Sequence, residues 1–195
     1  MNPFHIPSAG TDTASSQKRR LPIVIALVLA ALILSNMALI FFFSAESGED
    51  SGSRSAGVTD TILKITCPDF DSLSQDEQQS VTQRVHHLVR KTAHFLEYAA
   101  LGFLAACLLL WLKHFSVCKI HPWQAWVFPA ALGLLYAVSD EVHQIFSHRG
   151  ARVTDVLIDF AGAVFGVCMA HVAAWLLRLI RTAKKPKAGK ETAHV

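Results

Sequence analysis

Residues 21–43 run for 23 positions without one ionisable side chain, directly after Lys18, Arg19 and Arg20. A helix needs about 20 apolar residues to cross the roughly 30 Å hydrocarbon core of a bilayer, so this stretch reads as a membrane span. It exceeds the roughly 7 to 15 apolar residues of a secretory signal, and Phe43-Ser44-Ala45 puts a bulky side chain where cleavage wants a small one. A retained anchor is therefore expected. Three further apolar clusters follow, at about 99–112, 123–138 and 156–180. The middle two reach spanning length only by drawing in their polar flanks, which places His94, Glu97, Asp140 and Glu141 within the outer depth of the bilayer. With 52% hydrophobic and 17% charged residues clustered in this way, the chain belongs to the integral membrane class.

The expected fold is all-α: a polytopic membrane protein of four transmembrane helices, with a long external loop between the first and second. The spans are placed at about 21–43, 92–112, 123–140 and 156–178. Together they make one membrane domain over residues 21–180, between a basic tail at 1–20 and a lysine-rich tail at 181–195. Orientation follows from lysine and arginine placement. With both termini cytoplasmic, eleven basic residues fall inside and seven outside, and thirteen of the fifteen acids fall outside or at outer helix ends. The segments 44–90 and 141–155 are then extracytoplasmic.

Residues 44–74 are rich in Ser, Gly and Asp around a short apolar island at 58–65, and read as an external loop with room for one short helical turn. Ser74-Gln75-Asp76-Glu77 has capping-box spacing, and Val81, Val85, Leu88, Ala93 and Leu96 recur at about helical period after it. A helix starting near Gln75 either lies along the interface and turns into the second span or runs straight through. His121-Pro122-Trp123 fits an interfacial helix start. The lysine-rich tail is read as an anchor to anionic lipid, and no nucleic-acid partner is expected. Cys67, Cys107, Cys118 and Cys168 are spaced 40, 11 and 50 apart, which fits neither a disulfide framework nor a structural zinc site.

At about 3.6 residues per turn, helix arithmetic decides which charges can meet. Arg90, His94 and Glu97 share a face, and Lys91, His94 and Tyr98 lie on an overlapping one. On the third span Tyr136, Asp140, His143 and Gln144 fall along one stripe with Glu141 beside it. On the fourth, Asp155, Asp159, Gly162 and Gly166 are four, three and four apart. The two glycines allow another helix to approach closely, which turns the acid-bearing face into the bundle. Acids within membrane spans are expensive unless paired or functional, so a polar pocket in the outer half of the bundle is expected. Arg149 and Lys91 would recognise an anionic phosphate or carboxylate head group, with the acids holding those bases in place.

His94, Glu97, Asp140, His143 and Asp159 also carry donors for a divalent metal, although HxxE and DExH segments arise often by chance. No serine or cysteine sits in a nucleophile motif and no glycine-rich phosphate loop is present. Binding is therefore favoured over catalysis, and no cofactor is expected. Rival readings are a membrane enzyme, metal-assisted or not, acting on a lipid head group, and a structural or regulatory partner in a membrane complex. In the latter the Gly162 and Gly166 face would meet other subunits, and oligomer formation stays open.

Taken in order, Arg90-Lys91-Thr92-Ala93-His94-Phe95-Leu96-Glu97-Tyr98 with Leu101-Gly102, then Ser139-Asp140-Glu141-Val142-His143-Gln144-Ile145-Phe146, then Arg149, Thr154-Asp155-Val156-Leu157-Ile158-Asp159 and Gly162 to Gly166, resemble the VanZ-like family of small bacterial membrane proteins. Phe43-Ser44 and Ser55-Ala56-Gly57-Val58 are also similar, and the resemblance covers about residues 22–178. One departure is visible, since Ser147-His148 stands where the family commonly has Pro-Gly before the arginine. The resemblance implies a role in low-level resistance to the glycopeptide teicoplanin. It places that role at the outer surface of a Gram-positive cell membrane, near lipid-linked cell-wall precursors, lipid head groups or lipoglycopeptides.

Overall fold

The computed structural model describes residues 10–45, 48–146 and 152–184, with side chains described over 20–44, 56–145 and 152–184. Five α-helices and one short 3-10 turn account for nearly all of this, and no strand occurs among the described residues. They are α1 (Gly10–Ala45), α2 (Gly48–Thr66), α3 (Gln75–His114), α4 (Gln124–Phe146) and α5 (Val153–Ala183). Four of them, all but α2, are long and apolar enough to cross a membrane. The protein is thus an all-helical, multi-pass membrane protein.

The 40-residue α3 is the organising element. At 1.5 Å per residue it is about 60 Å long, twice the thickness of the hydrocarbon core, so one uninterrupted helix both spans the membrane and projects beyond it. The Glu77 carboxylate starts it by accepting from the Ser74 backbone N–H at 3.0 Å and from the Ser74 hydroxyl at 2.8 Å. Every other helix packs on α3, and the α3–α5 interface is the largest.

The expected external loop is corrected here. Residues 48–66 form a 19-residue helix that packs on the projecting half of α3. Thr59 and Leu63, four residues apart, are buried against it, and Thr59 Oγ1 lies 3.3 Å from His86 Nδ1. Serine and glycine lower helix propensity, but one packed face offsets that cost, because helical stability in proteins comes mostly from burial.

Small residues let α3 and α5 cross closely. A Cβ on Gly102 would overlap the Ala163 carbonyl, one on Gly162 the Phe95 carbonyl, and one on Gly166 the Ala99 carbonyl and the Phe103 amide. Ile33, Ile40, Tyr98, Leu101, Ala105, Ala137 and Ala163 form the core where α1, α3, α4 and α5 meet. The outward apolar side chains, among them Leu27, Phe42, Leu135 and Leu177, are exposed, as lipid-facing positions must be in a bundle without its bilayer. The first span is the least buried of the four, and side chains of other helices hold it by its backbone. Trp111 Nε1 donates to the Pro22 carbonyl at 2.9 Å, and the Tyr136 hydroxyl donates to the Met37 carbonyl at 2.5 Å.

Candidate functional site

At the end of the bundle where α1 and α4 finish and α5 begins, the polar side chains come together around Asp140. Asp140 is 4% exposed, and its Oδ2 accepts from the Ser44 hydroxyl at 2.8 Å and from Gln144 Nε2 at 3.1 Å. Gln144 Nε2 also donates to Ser44 Oγ at 2.8 Å, closing a three-residue ring between α1 and α4. Gln144 follows Asp140 by one helical turn, so the α4 side of this ring is set by local geometry. Ser44 is completely buried at the last turn of the α1 span. A membrane interior supplies no water to meet a carboxylate, and these donors take its place.

The second helix of the site is α3. Lys91 forms an ion pair with Asp155 in the first turn of α5. Thr154 Oγ1 donates to the same carboxylate at 3.2 Å, and the helix N-terminus favours the negative charge there. One turn deeper, His94 Nδ1 lies 3.5 Å from Glu97 Oε2. Tyr98 is fully buried, its ring centroid 6.2 Å from that of Tyr136, with Asp140, Asp159 and Glu97 near its hydroxyl. Asp159, 5% exposed, lies one turn into α5 within electrostatic reach of Asp140, Asp155, Glu141 and Glu97. Glu141 is 6% exposed and faces the Arg152 backbone N–H.

Several acceptors in this cluster have no hydrogen bond. Asp140 Oδ1, Glu97 Oε2 and the Tyr98 hydroxyl are buried without one, and the buried Glu141 carboxylate has only the imperfectly aligned Arg152 backbone N–H. Buried polar atoms are nearly always satisfied, so this concentration, which also includes His94 Nδ1, marks the polar end of the bundle as a candidate site. Of the described bases, Lys91 is held by Asp155 and Arg152 is exposed, while the His94 and His143 imidazoles stand within electrostatic reach of Asp140 and His94 also faces Glu97. His143 stands at the edge of the cluster, its ring 4.6 Å from that of Phe41. Among the described residues no group of three or more His, Cys, Asp or Glu side chains is placed to hold a metal ion.

The sequence-predicted residues Lys91, His94, Glu97, Tyr98, Asp140, Glu141, Gln144, Asp155 and Asp159 thus converge at one end of the bundle, with His143 beside them. Arg149, together with the Ser147-His148 departure, lies outside the described residues. Gly162 and Gly166 are spent on the α3 crossing, so the face offered to other subunits in the complex reading is already covered within the chain. Ser44 and Tyr136 are the residues that sequence reasoning left out of the site. Tyr136 shares the Asp140 stripe and was within reach of helix arithmetic. Ser44 carries two weak signals, a polar residue ending an apolar run and the Phe43-Ser44 pair of the family resemblance.

The family model described as VanZ/LLP1 matches residues 27–177. The chain belongs to the VanZ/LLP1 family. The matched segment contains every residue of the polar cluster and all four membrane-crossing stretches, omitting only their outermost ends on α1 and α5. Comparison with curated proteins and with solved structures returns no match. VanZ/LLP1 membership and the four apolar helices together make this a VanZ-like, multi-pass membrane protein.

Proposed function

We propose that this VanZ-like protein resides in a bacterial cell membrane with both termini cytoplasmic and its acidic cluster outward. There the cluster binds the polar head group of an envelope ligand, and so contributes to teicoplanin-type glycopeptide resistance. The excess of lysine and arginine on the opposite side supports the orientation. The buried polar atoms without a hydrogen bond, Glu97 Oε2, the Tyr98 hydroxyl and Asp140 Oδ1, support the binding reading. An isolated buried carboxylate costs several kcal/mol, about the amount that a donor-bearing ligand recovers on entering.

Lys91, expected to recognise an anion, is already engaged by Asp155, so recognition centres on hydrogen-bond donors of the ligand. Lipid-linked wall precursors, lipid head groups and lipoglycopeptides all present such donors. The test is teicoplanin susceptibility in a strain whose resistance depends on this protein, with Glu97→Gln, Asp140→Asn and Asp159→Asn introduced one at a time. Each is expected to bring susceptibility to the level of the deletion strain while membrane abundance holds. Resistance unchanged in all three would sink the proposal.

A further inference from the structure

The first span carries one amide side chain, Asn36, in the interior of the apolar stretch Arg20–Ser44. Its Oδ1 is buried without a hydrogen bond, while the residue as a whole is partly exposed. Hydrocarbon offers a polar atom neither donor nor acceptor, so an amide left in this state costs free energy in a bilayer. The same helix is the span that the chain covers least: 11% of its apolar stretch is buried, against 33% in each of the other three.

Asn36 also belongs to a regular series. Ile25, Leu29, Leu32, Asn36 and Leu39 follow one another at spacings of four, three, four and three, the alternation of a heptad seam. Ile25, Leu32 and Leu39 then take the d positions, and Leu29 and Asn36 the a positions. An asparagine at a single a position is the polar residue that fixes register and strand number in parallel coiled coils. The seam runs beside the face of α1 that packs within the chain: Ile33 and Ile40 are buried in the core, whereas Leu32 and Leu39 are 47% and 51% exposed. Ile25 and Leu29 are half-buried at its edge.

We infer that α1 pairs with α1 of a second copy of this chain along the seam, with the two Asn36 amides meeting at its centre. Two copies inserted in one membrane share an orientation, so their first spans run parallel, as such a seam requires. The two-fold axis of the pair sets each residue against its own counterpart. An amide is both donor and acceptor, so each Nδ2 donates to the opposite Oδ1, the kind of polar contact that joins helices in membranes. Turning Asn36 about its terminal torsion brings Oδ1 from its covered position to the seam and breaks no hydrogen bond of that oxygen.

Oxidative cross-linking in membranes tests the seam, using the full chain with Cys67, Cys107, Cys118 and Cys168 replaced by alanine and one cysteine introduced at a time. Leu32→Cys and Leu39→Cys should give disulfide-linked dimers on a non-reducing gel. Leu27→Cys and Leu34→Cys, equally exposed but on the far side of α1, should not. Energy transfer between labelled full chains in liposomes tests the amide. Asn36→Leu should weaken dimerisation by about threefold to twentyfold, the scale of one interhelical hydrogen bond, and Asn36→Gln, which keeps the amide, should recover most of it. Equal cross-linking at all four positions, or none at Leu32 and Leu39, overturns the seam. Dimerisation unchanged in Asn36→Leu overturns the amide pairing. A chain that stays monomeric at every protein-to-lipid ratio overturns the dimer and leaves Asn36 to the helix of some other protein.

Discussion

Of the two oxygens of Asp140, one accepts from Ser44 and Gln144 and the other has no hydrogen bond. The first fixes α4 to the end of α1, and the second is buried without one. Ser44→Ala removes a donor from a buried carboxylate without changing the chain's volume much. It is expected to lower stability in detergent by about 1–3 kcal/mol, whereas Ser44→Thr, which keeps the hydroxyl, should retain part of that. Thermal melting of the purified variants checks this; equal melting of Ser44→Ala and the natural chain would mean the ring contributes nothing. That Glu97, Asp140 and Asp159 gather at one end of the bundle was legible in the sequence, because acids next to apolar runs are costly wherever the helices end up. The part played by Ser44 was not, because its partner is 96 residues away.

Helix α2 and the glycine crossing show how elements acquire their form from neighbours. Residues 48–66 read as a loop on propensity, yet Thr59 and Leu63 find a buried face on α3, and the segment folds as a helix. The extramembrane end of the protein is consequently a packed helical pair. Gly57 of α2 has no atom within 4 Å of where a Cβ would stand, while one on Gly166 would collide with the backbone of α3. Gly57→Ala should therefore stabilise by about 0.5–1 kcal/mol through the lower helix propensity of glycine. Gly166→Val should destabilise by about 1–3 kcal/mol or more as α3 and α5 are forced apart. A reversed order of melting temperatures for these two variants would contradict the close crossing. The spacing of Gly162 and Gly166 announced a close approach; that the partner is α3 of the same chain came only from the fold.

At the scale of the whole molecule, α3 separates its two ends by about 60 Å, so Cys67 before it and Cys118 after it lie on opposite sides of any membrane it crosses. All four cysteines are free thiols, and Cys118 is exposed. With Cys107 and Cys168 replaced by alanine, a membrane-impermeant maleimide added to intact cells should label Cys67 and leave Cys118 untouched until the cells are broken. The opposite pattern would place the acidic cluster in the cytoplasm and end the envelope-ligand proposal. Read along the chain, hydropathy runs and a helical period of about 3.6 residues determined four membrane-crossing helices and a charged end to the bundle, since both signals depend only on near neighbours in sequence. Tertiary structure decided that Lys91 belongs to Asp155 across 64 residues, that Ser44 closes on Asp140, and that a polar segment becomes α2. Those outcomes depend on how each helix is rotated and where it crosses the next, which close packing between helices settles and no local pattern encodes.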